Sequence, residues 1–176
     1  MASVTEAIIL NSIKYSETSV IMKCYSQNYG ILSFIIKGVR SRKRTKFSLG
    51  NIEPLSIVEI EFNRLKKGEL SHLKNIKSVV IYDDLRFNII KSNIALFLAE
   101  FLSNVLRFQE ENTSLYQYIK DSLVTLDKIS KYENFHINFL INLLKFLGIK
   151  PEASNENCKF FDIENGIFKT SNDSQY

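Results

Sequence analysis

The sequence has few of the residues from which disulfide frameworks, metal sites and phosphate-binding loops are built. It contains no tryptophan, two cysteines, two histidines and six glycines in 176 residues. Cys24 and Cys158 are too few for a disulfide framework or a four-thiolate zinc site, and this cysteine content suits a reducing cytoplasm. The glycines form no phosphate-binding motif. No metal and no cofactor is therefore expected.

Catalytic and membrane-spanning patterns are missing as well. Neither His72 nor His136 lies beside a cysteine, serine or aspartate in a nucleophile motif, and no acid–base pair can be named. The sequence is therefore not expected to encode an enzyme. The first residues lack the charged and apolar regions of a signal peptide. The most apolar window, residues 94–102, is short and contains Glu100, so no membrane span is expected.

What the sequence does have is an uneven distribution of charge. Residues 1–80 contain 13 Lys/Arg and 6 Asp/Glu, a net charge of +7, whereas residues 81–176 contain 10 and 13, a net charge of −3. The densest cluster follows a strand-like segment at residues 31–37 and a turn at Gly38. It consists of six cations without an intervening acid: Lys37, Arg40, Arg42, Lys43, Arg44 and Lys46.

A cluster of this density repels itself, so it indicates an anionic partner, and the phosphate backbone of nucleic acid suits it. A solvated loop without a ligand is the alternative interpretation. A second basic turn carries Arg64, Lys66 and Lys67. Single-strand binding also needs aromatic rings on which bases stack, and three aromatic residues flank the basic segments: Tyr15, Tyr29 and Phe47. Ordinary packing at the rim of a barrel is the alternative for each ring.

Residues 5–82 have the pattern of a small β-barrel. Strands are predicted over residues 7–13, 19–25, 31–37, 55–62 and 70–82, the last with a bend near Asn75. In the fourth strand the apolar positions point inward and the acids point outward; the inward residues are Val58, Ile60 and Phe62. Five short strands without an intervening helix favour the OB-fold, which commonly binds oligonucleotides on one face.

Beyond residue 82 the periodicity becomes helical. A first helix is predicted to begin at Asp83–Asp84. A second follows the break at residues 110–112, with Thr113 or Ser114 as its cap, and its predicted apolar face is Leu115, Ile119, Leu123 and Leu126. A third is predicted over residues 135–147, ended by Gly148 and Pro151. Asn165–Gly166 between two apolar arms predicts a β-hairpin. The predicted fold is therefore α+β. It has an N-terminal five-stranded OB-fold barrel at 1–82, an α-helical domain at 83–150 and a short C-terminal β-hairpin at 151–176.

Six motifs occur in the order and spacing of a known family. They are Ala7-Ile-Ile-Leu10, Lys14-Tyr15-Ser-Glu17-Thr18-Ser19, Tyr29-Gly30-Ile-Leu-Ser33, Ile36-Lys37-Gly38-Val39-Arg40, Leu55-Ser-Ile-Val58-Glu59 and Leu147-Gly148-Ile149-Lys150-Pro151. Together they extend over about residues 5–151. Through them the sequence resembles the RecO family of bacterial DNA-repair proteins, which are recombination mediators of the RecF pathway.

The resemblance implies a protein that binds single- and double-stranded DNA and anneals complementary strands. It implies binding to the C-terminal tail of single-stranded DNA-binding protein and, with RecR, help in loading RecA, in a bacterial cytoplasm at the nucleoid. Lys37 and Arg40 fall on the family's basic motif, and charge alone extends DNA contact to the neighbouring cations. Two other functions stay open: a protein-interaction module with an incidental basic loop, and an RNA-binding OB protein.

The sequence departs from the family in two places. Many members carry a four-cysteine zinc module after the helical stretch. Here Cys158 stands near the first ligand position, Phe161 occupies the next, and no later cysteine follows. No zinc is therefore predicted, and the hairpin is expected to form an apolar substitute from Phe160, Phe161, Ile163 and Phe168. Family members usually continue with further helix, so the sequence is expected to be a truncated product or a fragment.

Overall fold

A computed structural model describes residues 2–39, 47, 49–63, 71–107, 109–149, 160–162 and 165–169. The described chain falls into two compact units, Met1–Tyr132 and Glu133–Tyr176. The first contains β1 (Ala2–Lys14), β2 (Val20–Ser26), β3 (Gly30–Ile36), a 3-10 helix (Leu49–Ile52), β4 (Ile57–Asn63), β5 (Ser71–Ser78), α1 (Ile89–Val105) and α2 (Thr113–Lys128). The second contains α3 (Phe135–Phe146), β6 (Phe160–Asp162) and β7 (Ile167–Lys169).

The five N-terminal strands close into a barrel in the order β1-β2-β3-β5-β4. β1 has 13 residues, so it can pair antiparallel with β4 through its first half and with β2 through its second half. β3 and β5 are parallel neighbours, joined by the register pairs Phe34–Ser71 and Ile35–His72. The predicted five-stranded barrel of the OB type is thus confirmed.

Alternation along the strands fills the barrel with apolar side chains. Val58, Ile60 and Phe62 of β4 are buried, as predicted, while Glu59 is exposed. The ring of Phe34 meets that of Phe62 edge to face, with centroids 5.3 Å apart. Each such side chain contributes about 1.5–3 kcal/mol when it leaves water. The barrel therefore depends for its stability mainly on this core.

Cys24 belongs to the same core and is fully buried. Burial raises the pKa of its thiol to about 12. A thiolate is the reactive form of cysteine, and a thiol with this pKa stays protonated at neutral pH. Cys24 is therefore a small hydrophobic core residue, as its place in a strand indicated.

A β-bulge in β1 determines which side chains face outward near its end. The register passes from Ile9–Cys24 directly to Asn11–Lys23, so Leu10 is the extra residue. The alternation resumes with Ser12 opposite Met22 and Ile13 opposite Ile21. A bulge of this kind shifts the alternation by one residue. As a result, Asn11 and Ile13 share the outer surface with Lys23 and Ile21.

Helix α1 begins at Ile89, so the prediction that Asp83–Asp84 start it was wrong. The N-cap is Asn88, whose side-chain oxygen accepts hydrogen bonds from the N–H groups of Ile90 (3.1 Å) and Lys91 (3.2 Å). Residues 83–85 instead donate their backbone N–H groups to a carboxylate of α2, that of Asp127. This carboxylate satisfies the donors that a helix start at 83 would have left to a cap.

The second and third helices agree closely with the sequence prediction. α2 begins after Asn112, one residue before the predicted cap, and its predicted apolar face is completely buried: Leu115, Ile119, Leu123 and Leu126. α3 ends at Phe146 with Leu147 as its C-cap, and the next residue, Gly148, has φ +72°. The N–H groups of Gly148 and Ile149 donate to the carbonyls of Lys145 and Leu144. This is a Schellman motif, which confirms Gly148 as the helix terminator.

The predicted C-terminal hairpin is confirmed as well. β6 and β7 pair antiparallel, with Phe161 opposite Phe168 and Asp162 opposite Ile167. Gly166, at φ +67°, donates its N–H to the carbonyl of Asp162 at 2.8 Å. The rings of Phe161 and Phe168 lie 4.9 Å apart and each is more than a third exposed. Cys158 and Ile163 lie outside the described residues.

Hydrogen bonds tie the barrel to α1 and α2 within the first unit. Glu6 of β1 accepts from the Tyr116 hydroxyl at 2.9 Å and pairs with Lys120 at 2.6 Å. The turn between β2 and β3 approaches the α1–α2 connection so closely that a Cβ on Gly30 would lie 2.6 Å from the carbonyl oxygen of Gln109. With φ +64°, this position requires glycine. None of the described helices is long and apolar enough to cross a membrane.

Candidate nucleic-acid interface

One outer surface of the barrel carries a row of aliphatic side chains across three adjacent strands. Ile13 pairs with Ile21, Ile21 with Ile35, and Ile35 continues the row to His72 of β5. Ile13 is 56% exposed although it is aliphatic, and Ile21 and Ile35 are half-buried. We call this surface, with the polar residues at its border, the barrel face: Ile13, Tyr15, Ile21, Lys23, Ile35, Lys37 and His72.

Basic residues border the aliphatic row. Lys37 is exposed and follows Ile35 by two positions, and Lys23 lies in register between Asn11 and Ser33. Strands β2 and β3 contain no acidic residue, whereas β4, on the other side of β5, contains two. The barrel face therefore combines cations with flat apolar surface. Proteins that bind single-stranded nucleic acid combine cations, which contact the phosphates, with flat aromatic side chains, on which the bases stack.

Both basic loops attach to the barrel face. The first leaves β3 at Lys37, where Gly38 turns the chain with φ +76°, as predicted. The second ends where β5 begins, at Ser71, which pairs with Phe34 of β3. Both loops thus join the barrel at the β3–β5 seam. The other predicted DNA-contacting residues lie outside the described residues: Arg40, Arg42, Lys43, Arg44, Lys46, Arg64, Lys66 and Lys67.

The three predicted stacking residues occupy different places. Tyr15 is 60% exposed and follows Lys14, which the register places in one row with Val20 and Ile36. Tyr15 and Lys37 therefore lie at the same end of the sheet, two strands apart.

Tyr29 lies at the other end of β3, in the turn that precedes it. The seven residues of β3 extend roughly 20 Å, which separates Tyr29 from Lys37. The Tyr29 ring is half-buried and meets Phe62 edge to face at 5.6 Å. Phe47 is also half-buried and packs against the barrel core. The structure places Tyr15 and Lys37 at the same end of the sheet, whereas Tyr29 and Phe47 pack against the barrel core.

Sequence reasoning missed the aliphatic row and Lys23 as parts of the candidate interface. Ile13, Ile21 and Ile35 resemble ordinary strand residues, because neither the strand register nor the bulge in β1 is visible in the sequence. Lys23 donates to the backbone carbonyl of Ser103 at 2.9 Å. Burial, and secondly the Arg107 guanidinium, lowers the pKa of Lys23. The available signal was the lack of acids in β2 and β3.

Among the residues that the structure describes, no group of three or more His, Cys, Asp and Glu side chains is placed to hold a metal ion. Zinc bound in a closed structural site needs four such ligands. From the sequence, whose two cysteines and two histidines lie far apart, we predict that the purified protein contains no stoichiometric zinc and that a chelator leaves its melting temperature unchanged. Elemental analysis checks this, and one zinc per chain would contradict it.

Two family models match the chain. Recombination protein O N terminal matches residues 1–82, and Recombination protein O C terminal matches residues 86–174. The chain is 34% identical over 172 residues to the DNA repair protein RecO of Christiangramia forsetii, a match that covers 98% of this chain and 72% of that protein.

Two further relatives carry the same name. The chain is 33% identical over 164 residues to the DNA repair protein RecO of Flavobacterium johnsoniae, with 93% of this chain and 69% of the relative covered. It is 36% identical over 171 residues to that of Bacteroides fragilis, with 96% and 70% covered. Matches to both family models and identities of this size over most of the chain show that it belongs to the Recombination protein O (RecO) family.

Proposed function

We propose that this chain is a non-enzymatic, DNA-binding recombination mediator that acts in DNA repair. The observation that carries the proposal is the barrel face, where the aliphatic row lies between Lys23 and Lys37 and where β2 and β3 contain no acid. Cations and apolar side chains of this kind can hold a strand without any chemical reaction on it. The names of the relatives, all DNA repair proteins, support the biological context.

On this proposal a DNA strand crosses the barrel face with its phosphates on the cations and its bases on Tyr15 and the aliphatic row. Lys37 and the two basic loops supply the phosphate contacts. These contacts neutralise the strand and release its counterions. Two complementary strands neutralised in this way repel each other less, so the same surface supports annealing. Duplex DNA binds through the same phosphates.

The protein partners are part of the same proposal. They are the C-terminal tail of single-stranded DNA-binding protein and RecR, with which the chain helps to load RecA on single-stranded DNA in a bacterial cytoplasm at the nucleoid. An acidic tail needs exposed cations on the helical part. Lys120 pairs with Glu6, so the better candidates are the exposed ones: Arg107, Lys128, Lys131 and Lys145.

A second function, docking of a protein partner without DNA binding, is favoured by exposed apolar residues at the start of the helical part. Ile81 is 85% exposed, Phe87 81% and Ile89 78%. Contiguous exposed apolar patches mark interaction surfaces, and these three residues lie within nine positions of the sequence. Docking through apolar side chains should depend little on salt concentration, whereas the affinity for DNA falls as salt rises.

Titration with single-stranded DNA, duplex DNA and RNA at several salt concentrations separates the candidates. For the DNA-binding mediator, we expect affinity for single-stranded DNA to fall with salt, with a slope of about 0.7 per phosphate contact. Gain of a labelled duplex signal as complementary strands anneal tests the mediator activity. Absence of DNA binding would favour the protein-docking function. Tighter binding of RNA than of DNA would favour an RNA-binding barrel.

Replacement of Tyr15 by alanine is expected to weaken single-stranded DNA binding about tenfold, because stacking of a base on an aromatic ring contributes about 1–3 kcal/mol. Stability should change little, since Tyr15 is 60% exposed. The matched control is Tyr15→Phe, which keeps the ring and should keep the affinity. Equal affinities of Tyr15→Ala and the unmodified protein would show that no base stacks there.

A further inference from the structure

A groove of about 360 Å³ lies between the outside of β1 and helix α1. Its apolar lining includes Leu10, the extra residue of the β1 bulge, and Leu96 and Ala99 of α1. This volume is within the range of small-molecule sites, about 300–1,000 Å³. The groove can therefore accept a flat ring system with its substituents.

The polar lining of the groove presents both donors and acceptors. Asn11, Glu100 and Asn104 line it together with Ser103. Asn11 already donates to the Ser103 hydroxyl at 2.9 Å, which fixes its amide oxygen as an acceptor beside the groove. Carboxylate and amide groups are the side chains that pair with the edges of nucleobases. An unpaired base therefore fits this lining.

The groove is continuous with the barrel face. Asn11 lines the groove and is the register partner of Lys23 on the barrel face. Paired strands lie about 4.8 Å apart. A strand that crosses the barrel face over Lys23 consequently reaches the groove within one nucleotide.

Two cations donate hydrogen bonds to residues that line the groove, and we call this side of the groove its mouth. Lys23 donates to the Ser103 carbonyl at 2.9 Å, and Arg107 donates to the Asn104 side-chain oxygen at 3.4 Å. Within the described part of the chain, neither forms a salt bridge. Neighbouring like charges raise each other's electrostatic energy, and an anion between them lowers it. The mouth is therefore suited to a phosphate.

We propose that this groove holds one unstacked nucleotide of a single strand bound to the barrel face. Its base lies against Leu96 and Ala99, and its phosphate lies between Lys23 and Arg107. This inference rests on the proposed DNA-binding function and assigns it a specific subsite. A nucleotide held here is removed from the stack, as in proteins that extrude a base from a strand.

The lack of tryptophan allows a direct test. Leu96 lines the groove and is 59% exposed, so L96W places a single indole at the groove without burying it. F97W is the matched control, because Phe97 is the next residue, is 45% exposed and does not line the groove. Each variant is titrated with a single-stranded oligonucleotide of mixed sequence and with an abasic oligonucleotide of equal length.

We expect the mixed-sequence strand to quench the emission of L96W and to leave that of F97W unchanged, and the abasic strand to quench neither. Unchanged L96W emission at saturating DNA would overturn the nucleotide subsite while the DNA-binding function stands. So would equal quenching of both variants, or quenching by the abasic strand. If the unmodified protein binds no DNA, the proposed function and the subsite fail together.

A second pair of variants keeps the inference testable if L96W does not fold. Arg107→Gln should weaken single-stranded DNA binding about three- to fivefold and lower the salt slope by about 0.7, the value for one phosphate contact. Lys77→Gln removes an exposed cation of β5 that does not line the groove and whose register partner is Glu59 of β4, and it should change neither quantity. Equal behaviour of the two variants would remove Arg107 from the subsite.

Discussion

The variant R40Q/R42Q/K43Q/R44Q is expected to bind single-stranded DNA about 100-fold more weakly at 0.1 M salt. Four lost phosphate contacts lower the salt slope by about 2.8, and this slope corresponds to an affinity change of that order or larger at 0.1 M. The loop that carries these residues leaves β3 at Lys37, beside the aliphatic row. Affinity measured between 0.05 and 0.3 M salt gives both quantities.

The control for this variant removes three cations of the helical part for which no DNA contact is proposed. K128Q/K131Q/K145Q neutralises three exposed lysines and should leave both the affinity and the salt slope nearly unchanged. Both variants should unfold with the free energy of the unmodified protein to within about 0.5 kcal/mol, as is usual for surface substitutions. An unaltered affinity of the loop variant would remove the loop from the interface.

Replacement of Asp127 by alanine is expected to lower the free energy of unfolding by about 3–5 kcal/mol. The Asp127 side chain is nearly buried and accepts from the N–H groups of Asp83 (3.2 Å), Asp84 (3.0 Å) and Leu85 (2.7 Å). Its removal leaves these donors without their acceptor, at a cost of about 1–3 kcal/mol each where they are buried. The connection between β5 and α1 then loses the three hydrogen bonds that hold it to α2.

Lys91 lies beside Asp127 and adds to the expected decrease in the free energy of unfolding. It is 2% exposed, donates to the Asp127 carbonyl at 2.7 Å and pairs with Asp84 at 2.8 Å, and its ammonium stands over the Tyr132 ring. A buried cation whose surroundings are disturbed is strongly destabilising. The matched control is Asp121→Ala on the exposed side of the same helix, with an expected change below about 0.5 kcal/mol. Denaturant unfolding compares the two, and similar losses would contradict the prediction.

The pKa of Asp127 also predicts how the free energy of unfolding depends on pH. Burial acts to raise the pKa of Asp127, but the hydrogen bonds from Leu85, Asp84 and Asp83 and the charge of Lys91 together lower it below its ordinary value. A carboxyl whose pKa is lower in the folded state stabilises the protein above its unfolded pKa of about 3.9. This stabilisation is lost as the pH falls through the folded pKa, and Asp127→Ala should lack it.

Much of the fold was accessible from local sequence patterns. Alternation identified β4 and its inward residues, the spacing of Leu115 and Ile119 gave the buried face of α2, and Gly148 marked the end of α3. These features depend on neighbours within a few residues along the chain. The barrel followed from them, since five short strands with a shared apolar face have few ways to close.

The features that escaped prediction depend on contacts between distant residues. The start of α1 was missed because Asp127, more than forty positions away, binds the N–H groups of residues 83–85. Tyr29 was placed with the basic residues because proximity in sequence says nothing about which end of a strand a turn occupies. The aliphatic row required the register of three strands and the bulge at Leu10. Pairing of this kind is decided by tertiary packing.

The pairing of β3 with β5 is the shortest strand pairing in the closed barrel. β3 is bonded to β2 along all of Gly30–Ile36, but among the described residues it is joined to β5 at Phe34 and Ile35 alone. Elements that are held by few contacts open locally more often than the rest of a fold. Amide hydrogens of β5 should therefore exchange faster than those of β2 in the free protein. Both basic loops attach to the barrel where β3 and β5 pair. A DNA strand bound across the two loops would therefore stabilise this short pairing and slow the exchange of the β5 amide hydrogens.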